Sequence, residues 1–115
     1  MRVQPAAVLV FALSTPAFGA DTRLEGRWDA SARACAQPVS ELRLTVTGSS
    51  VQFYESLCAI RERAWLGVAA AYRMGLDCEG EGETWSLVRV FLATSDGRLI
   101  DYGDPGFAVE RVRCE

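Results

Sequence analysis

Residues 42–53 read LRLTVTGSSVQF, and this stretch decides the fold class. Apolar and polar residues alternate over Leu42–Val46, Gly48–Ser50 forms a turn, and the alternation resumes at Val51–Phe53. When apolar residues recur at every second position, they all lie on one face of a strand, which can pack against a core. Two such runs joined by a short turn that contains glycine and serine are typical of a β-hairpin. We therefore predict an antiparallel β protein.

The same alternation continues beyond this hairpin, broken by turns about every ten residues, as in an antiparallel meander. The apolar parity changes within residues 51–60, which predicts a bulge or bend near Glu55–Leu57, because one residue of slip reverses the faces of a strand. Residues 68–78 then keep one parity, which predicts a long strand. Trp85–Leu92 is apolar on both parities, as in a strand covered on both sides or kinked in a barrel.

Only a short helical turn is predicted, around Ala30–Ala36, because no segment of ten or more residues shows a helical apolar period. We predict an all-β domain of about seven strands in a closed or nearly closed antiparallel barrel, with a β-sandwich as the alternative. The bulky residues expected to fill its interior are Trp28, Phe53, Tyr72, Trp85 and Phe91.

The N-terminus has the three-part layout of a secretory signal peptide. Arg2 supplies a positive charge, Ala6–Leu13 is uncharged and apolar, and small residues follow. We predict a signal peptide over residues 1–19 and a single domain over residues 20–115. Because the apolar run is too short to span a bilayer, the mature protein is expected to be periplasmic or secreted, without membrane insertion.

Four cysteines remain after this signal: Cys35, Cys58, Cys78 and Cys114. An even number of widely spaced cysteines in an exported chain predicts two disulfides, whereas zinc would need paired ligands such as C-x-x-C. A reversal of the chain between Cys58 and Cys78 places them opposite each other on adjacent strands, which favours Cys58–Cys78 with Cys35–Cys114. The alternative, Cys35–Cys58 with Cys78–Cys114, stays open because extending the first hairpin brings Cys58 near Cys35.

The chain contains no histidine and no lysine, so the usual catalytic bases and nucleophiles are missing. We predict no enzymatic activity, no cofactor and no metal site. Without Arg2 the chain has 11 arginines and 15 acidic residues, a net charge of −4, and no basic stripe that would bind nucleic acid. The densest acids, Asp77, Glu79, Glu81 and Glu83, are interleaved with glycines, so we expect a solvated turn there instead of a calcium site or catalytic carboxylates.

Gly26-Arg27-Trp28 opens the mature domain, and Arg111 and Arg113 close it. This resembles the calycin (lipocalin-related) pattern, in which G-x-W lies on the first strand and an arginine of the last strand covers the tryptophan. Among calycins the chain is most similar to small bacterial periplasmic inhibitors of secreted metalloproteases. Its other motifs, around Cys58 and Cys78, are similar to small uncharacterised exported bacterial proteins. The resemblance implies a closed barrel in which Trp28 contacts Arg111 or Arg113.

These features predict a non-catalytic, exported binding or inhibitor-like module whose target is an unknown protein of the cell envelope. The alternatives are a carrier of a small apolar ligand inside the barrel and a hydrolase that uses two carboxylates.

Overall fold

The predicted meander closes on itself in the structure, a computed structural model that describes residues 21–104 and 106–115. The predicted signal peptide, residues 1–19, lies outside the described residues. The elements, in chain order, are β1 (Gly26–Asp29), α1 (Ala32–Cys35), β2 (Leu44–Val46), β3 (Ser50–Phe53), β4 (Ser56–Trp65), β5 (Ala70–Gly80), β6 (Glu83–Ala93), β7 (Arg98–Gly103) and β8 (Phe107–Arg113). Each strand pairs antiparallel with the next, and β8 pairs with β1. The all-β barrel prediction is confirmed, with eight strands instead of about seven.

The hairpin of residues 42–53 forms β2 and β3, with Val46 opposite Val51. At the predicted bulge or bend near Glu55–Leu57 the structure has no bulge but a complete reversal of the chain. The return strand ends at Phe53, a two-residue turn follows, and Ser56 pairs back with Phe53 as the first residue of β4. The change of parity is therefore a reversal of the chain. The bulge of this region lies further along β4, between Ile60 and Glu62.

The core lies inside the barrel, on the inward parity of every strand. Trp28 and Phe91 are its largest fully buried side chains, and Phe53 and Tyr72 pack against it while partly exposed. Trp85, which the sequence placed in the interior, is 39% exposed. The reason is that the first half of β6 extends beyond the end of its neighbour β7.

The chain between β1 and β2 is held against the outside of the barrel by Asp29 and Arg43. Buried Asp29 accepts hydrogen bonds from Ser40 Oγ (2.7 Å) and Arg43 Nε (3.0 Å). Arg43 Nη2 also donates to the carbonyl oxygens of Ala34 (2.8 Å) and Gln37 (2.7 Å), at the C-terminal end of α1. Burial alone would raise the pKa of Asp29, but these hydrogen bonds and the Arg43 charge lower it below its ordinary value.

Candidate functional site

Closure of the barrel brings the two ends of the domain together. Trp28 lies opposite Arg113 in the β1–β8 register, and the Arg113 guanidinium lies 4.2 Å from the centre of the Trp28 ring. Arg113 also donates to the carbonyl oxygens of Glu25 (2.8 Å) and Arg23 (2.7 Å). Gly26, at a φ of 129°, leaves room for this side chain, because a Cβ there would lie 2.7 Å from Arg113 Nη1.

Both disulfides have the pairing that the meander register favours. Cys58 and Cys78 are joined across β4 and β5, where they are directly opposite each other. Cys35 and Cys114 join α1 to the segment after β8, with Cα atoms 5.5 Å apart. The alternative pairing is therefore wrong.

Arg111 does not cover Trp28 but belongs to a buried charge network. Asp101, which is 1% exposed, accepts hydrogen bonds from Arg111 Nη1 (2.9 Å) and Arg89 Nη1 (2.8 Å). The Arg89 guanidinium lies between two aromatic rings, 5.0 Å from the centre of Phe53 and 4.8 Å from the centre of Phe107. Sequence reasoning missed this network, although Arg89, Asp101 and Arg111 share the inward parity of Phe91 and Leu99.

Of the four acids that the sequence placed in a solvated turn, only Glu81 lies in the turn, because Asp77 and Glu79 belong to β5 and Glu83 begins β6. Gly80 pairs with Glu83, so Glu81 and Gly82 make a two-residue turn, and both have positive φ. Glu55, in the turn before β4, meets Glu81: a hydrogen bond with that side chain and repulsion between the two carboxylates raise the pKa of Glu55. Within the described residues, no group of three or more potential metal ligands is arranged to hold an ion.

One exposed part of the wall is the rim of the barrel where β6 extends beyond the end of β7. We call residues Glu83–Val88 the β6 edge. They pair with β5, but the pairing of β6 with β7 begins only at Arg89. The exposed apolar side chains around this edge are Trp85 (39%), Val88 (40%), Tyr102 (48%) and Phe107 (38%).

A groove of about 740 Å³ runs over the outer face of β4, β5 and β6 next to this edge. Leu57, Ala59, Asp77, Thr84 and Ser86 line it from the outer face of the sheet. Cys58, Cys78 and Trp85, which have the inward parity, also contribute to its lining. Asp77 lies at its centre and accepts hydrogen bonds from Ser86 Oγ (2.8 Å) and Arg61 Nε (3.1 Å), which lower its pKa.

No protein-family model matches this chain, and neither a curated protein nor a solved structure matches it. In the part of the chain that the structure describes, no helix is long and apolar enough to cross a membrane.

Proposed function

We propose that the domain is a non-catalytic, exported binding module of the cell envelope, inhibitor-like in that it acts by occupying a surface of a partner protein. The observation that carries this proposal is the rim of the barrel. There the first residues of β6 have no β7 neighbour. Trp85 and Phe107 are exposed on the inward parity, and Val88 and Tyr102 are exposed on the outward parity. Exposed apolar side chains surrounded by polar ones are typical of sites that contact other proteins.

The packing of the interior favours surface binding over carriage of a small ligand. Trp28, Phe91, Met74 and Leu99 occupy the inside of the barrel and are almost completely buried. A barrel of eight strands is just wide enough for its own side chains to fill it. The large groove lies instead on the outer face of β4–β6.

Two disulfides are consistent with an oxidising, extracellular compartment. Together with the signal-peptide pattern of residues 1–19, they support the proposal that the protein acts in the periplasm or after secretion. The calycin-like assignment is likewise a proposal, supported by the contact between Arg113 and Trp28.

Affinity capture from an envelope extract tests the proposed function, with the exported, oxidised protein as bait. We expect the wild type to retain one partner in stoichiometric amount, and Trp85→Ala to lose it. Leu66→Ala is the matched control, because Leu66 is also exposed but lies in the β4–β5 turn at the other end of the barrel. No retained partner, or equal retention by wild type and Trp85→Ala, would contradict the proposal.

A further inference from the structure

The β6 edge carries backbone N–H and C=O groups that point away from β5, toward the side where β7 has ended. The Thr94 N–H donates to the Arg98 carbonyl oxygen (2.8 Å) where β6 leads into β7. Because the direction of backbone hydrogen bonding alternates along a strand, even-numbered residues of β6 face β7 and odd-numbered ones face β5. Thr84 and Ser86 therefore direct both their N–H and their C=O groups to the side where β7 has ended, and no described strand pairs with them there.

A second place where a strand outruns its neighbour has a different composition. β3 pairs with β4 only over Ser56–Ala59, so it stops short of Arg61–Trp65. That stretch begins with Arg61, Glu62 and Arg63 and contains the bulge of β4. Charged residues and bulges are the usual means by which proteins prevent an edge strand from pairing. The β6 edge has neither from Thr84 to Val88.

The surroundings of the β6 edge favour an extended polypeptide of opposite charge. Trp85 and Leu87 offer an apolar inner face beside the edge, and Glu81 and Glu83 lie at its beginning. Glu55 adds a third carboxylate beside Glu81, and its hydrogen bond with Glu81 and the repulsion between the two groups raise the pKa of Glu55.

A second copy of this chain fits the edge less well. Antiparallel pairing of two β6 edges through Thr84 and Ser86 would place Gly82 of one copy opposite Val88 of the other. The β5–β6 turn of each copy would then lie against the end of β7 in its partner, at Gly103. Pairing through so few residues would also bury far less surface than a stable dimer needs. A free extended segment meets no such obstacle.

We propose that the β6 edge binds an extended segment of a partner protein as an added strand, with a basic residue of that segment beside Glu81 and Glu83. The inference rests on the proposed function and names the chemistry of the partner. Main-chain hydrogen bonds to Thr84 and Ser86 would bind the partner segment, and the charge of its side chains would determine which segments bind.

Amide hydrogen exchange, measured by NMR on the oxidised protein, tests this with a probe peptide, acetyl-Arg-Val-Thr-Val-Thr-Arg-amide. At a free peptide concentration of about ten times its Kd, exchange of the Thr84 and Ser86 amides should slow about tenfold, because only the unbound fraction exchanges. The Trp85 amide, which faces β5, is the internal reference and should not change. Failure of the two edge amides to slow at millimolar peptide would overturn the proposal.

Three controls separate strand addition from general attraction: a pair of Thr84 variants, an N-methylated peptide and a peptide of reversed charge. Thr84→Pro removes the outward N–H without removing a bond to β5, and proline is tolerated on edge strands. It should abolish protection of Ser86, whereas Thr84→Val, which keeps the N–H, should preserve it. N-methylation of the four central peptide residues should abolish protection without any change to the protein. Equal protection by the N-methylated peptide, or by a counterpart with glutamates in place of both arginines, would contradict the proposal.

The proposed function and this inference fail in different ways. If envelope capture retains a partner equally on wild type and on Thr84→Pro, the binding module stands and the β6 edge is not its docking strand. Loss of that partner on Thr84→Pro but not on Thr84→Val supports both.

Discussion

The seam between β1 and β8 and the ribbon of β4, β5 and β6 hold the same barrel together by different means. The seam has only two register pairs, Trp28–Arg113 and Asp29–Val112. Side chains reinforce it: Arg113 covers Trp28, and the Cys35–Cys114 disulfide joins α1, which follows β1, to the segment after β8. The ribbon has eleven register pairs between β5 and β6 alone, yet its rim half is exposed.

This difference separates stability from binding. A short seam contributes few backbone hydrogen bonds, so its buried aromatic ring and its disulfide must stabilise closure. The ribbon is stabilised by its ladder, so exposed side chains at its rim can change with little cost to folding. We therefore expect substitutions in the seam to unfold the protein and substitutions on the β6 edge to affect partner binding.

The largest expected effect is removal of the seam disulfide. In the chain-entropy account, a bridge spanning 79 residues contributes about 4–5 kcal/mol, and the ribbon bridge, which spans 20, contributes about 3 kcal/mol. Denaturant unfolding of Cys35→Ser/Cys114→Ser should therefore show a greater loss than Cys58→Ser/Cys78→Ser. The reverse order would mean that the ribbon, and not the seam, limits stability.

Truncation of the seam tryptophan comes next. Trp28 is 1% exposed and its Nε1 donates to the Leu24 carbonyl oxygen (3.0 Å), so Trp28→Ala should cost about 3–5 kcal/mol. Trp85→Ala, in the ribbon, should cost about 1–2 kcal/mol, since much of that ring is already in water. Thermal unfolding of the two variants side by side measures the contrast. Equal losses of stability in the two variants would contradict the proposal that the seam contributes more to stability than the rim of the ribbon.

Acid should weaken the seam through Asp29, which pairs with Val112 in the β1–β8 register. The folded-state pKa of Asp29 lies below its ordinary value, so the carboxylate contributes stability above the unfolded-state pKa of about 3.9. That contribution is lost as the pH falls through the folded-state pKa. The free energy of unfolding, measured with denaturant between about pH 5 and pH 2, should therefore fall less steeply with decreasing pH for Asp29→Asn than for the wild type. Identical pH slopes would show that Asp29 does not contribute.

The smallest expected effect is at the tip of the ribbon. Glu81→Ala should change stability by no more than about 0.5 kcal/mol, because Glu81 is exposed in a two-residue turn. The pKa of Glu55 should fall toward its ordinary value once the neighbouring carboxylate is removed. NMR titration of the Glu55 side chain measures this shift. An unchanged pKa would mean that the two carboxylates do not interact.

Much of the fold was predictable because strand pairing in a meander is local. The register around the β4–β5 reversal identified Cys58–Cys78, and the terminal G-x-W and arginines indicated that β1 and β8 meet. The turn after Phe53 was missed because Tyr54-Glu55 has none of the glycine, asparagine or aspartate that usually signals a two-residue turn.

The sequence by itself indicated the all-β class and two disulfides, because alternation and cysteine spacing act between neighbouring strands. It favoured the observed cysteine pairing without excluding the alternative, and the closing contact followed only from the resemblance of the G-x-W and the terminal arginines to calycins. Only the tertiary structure decided where each strand outruns its neighbour. Strand stagger depends on how the whole barrel closes, and no local pattern encodes it. That stagger exposes Trp85 at the rim and leaves Thr84 and Ser86 without a neighbouring strand in the described chain. It also brings Arg89, Asp101 and Arg111 together from three strands, so that the buried Asp101 carboxylate is paired with both guanidinium groups.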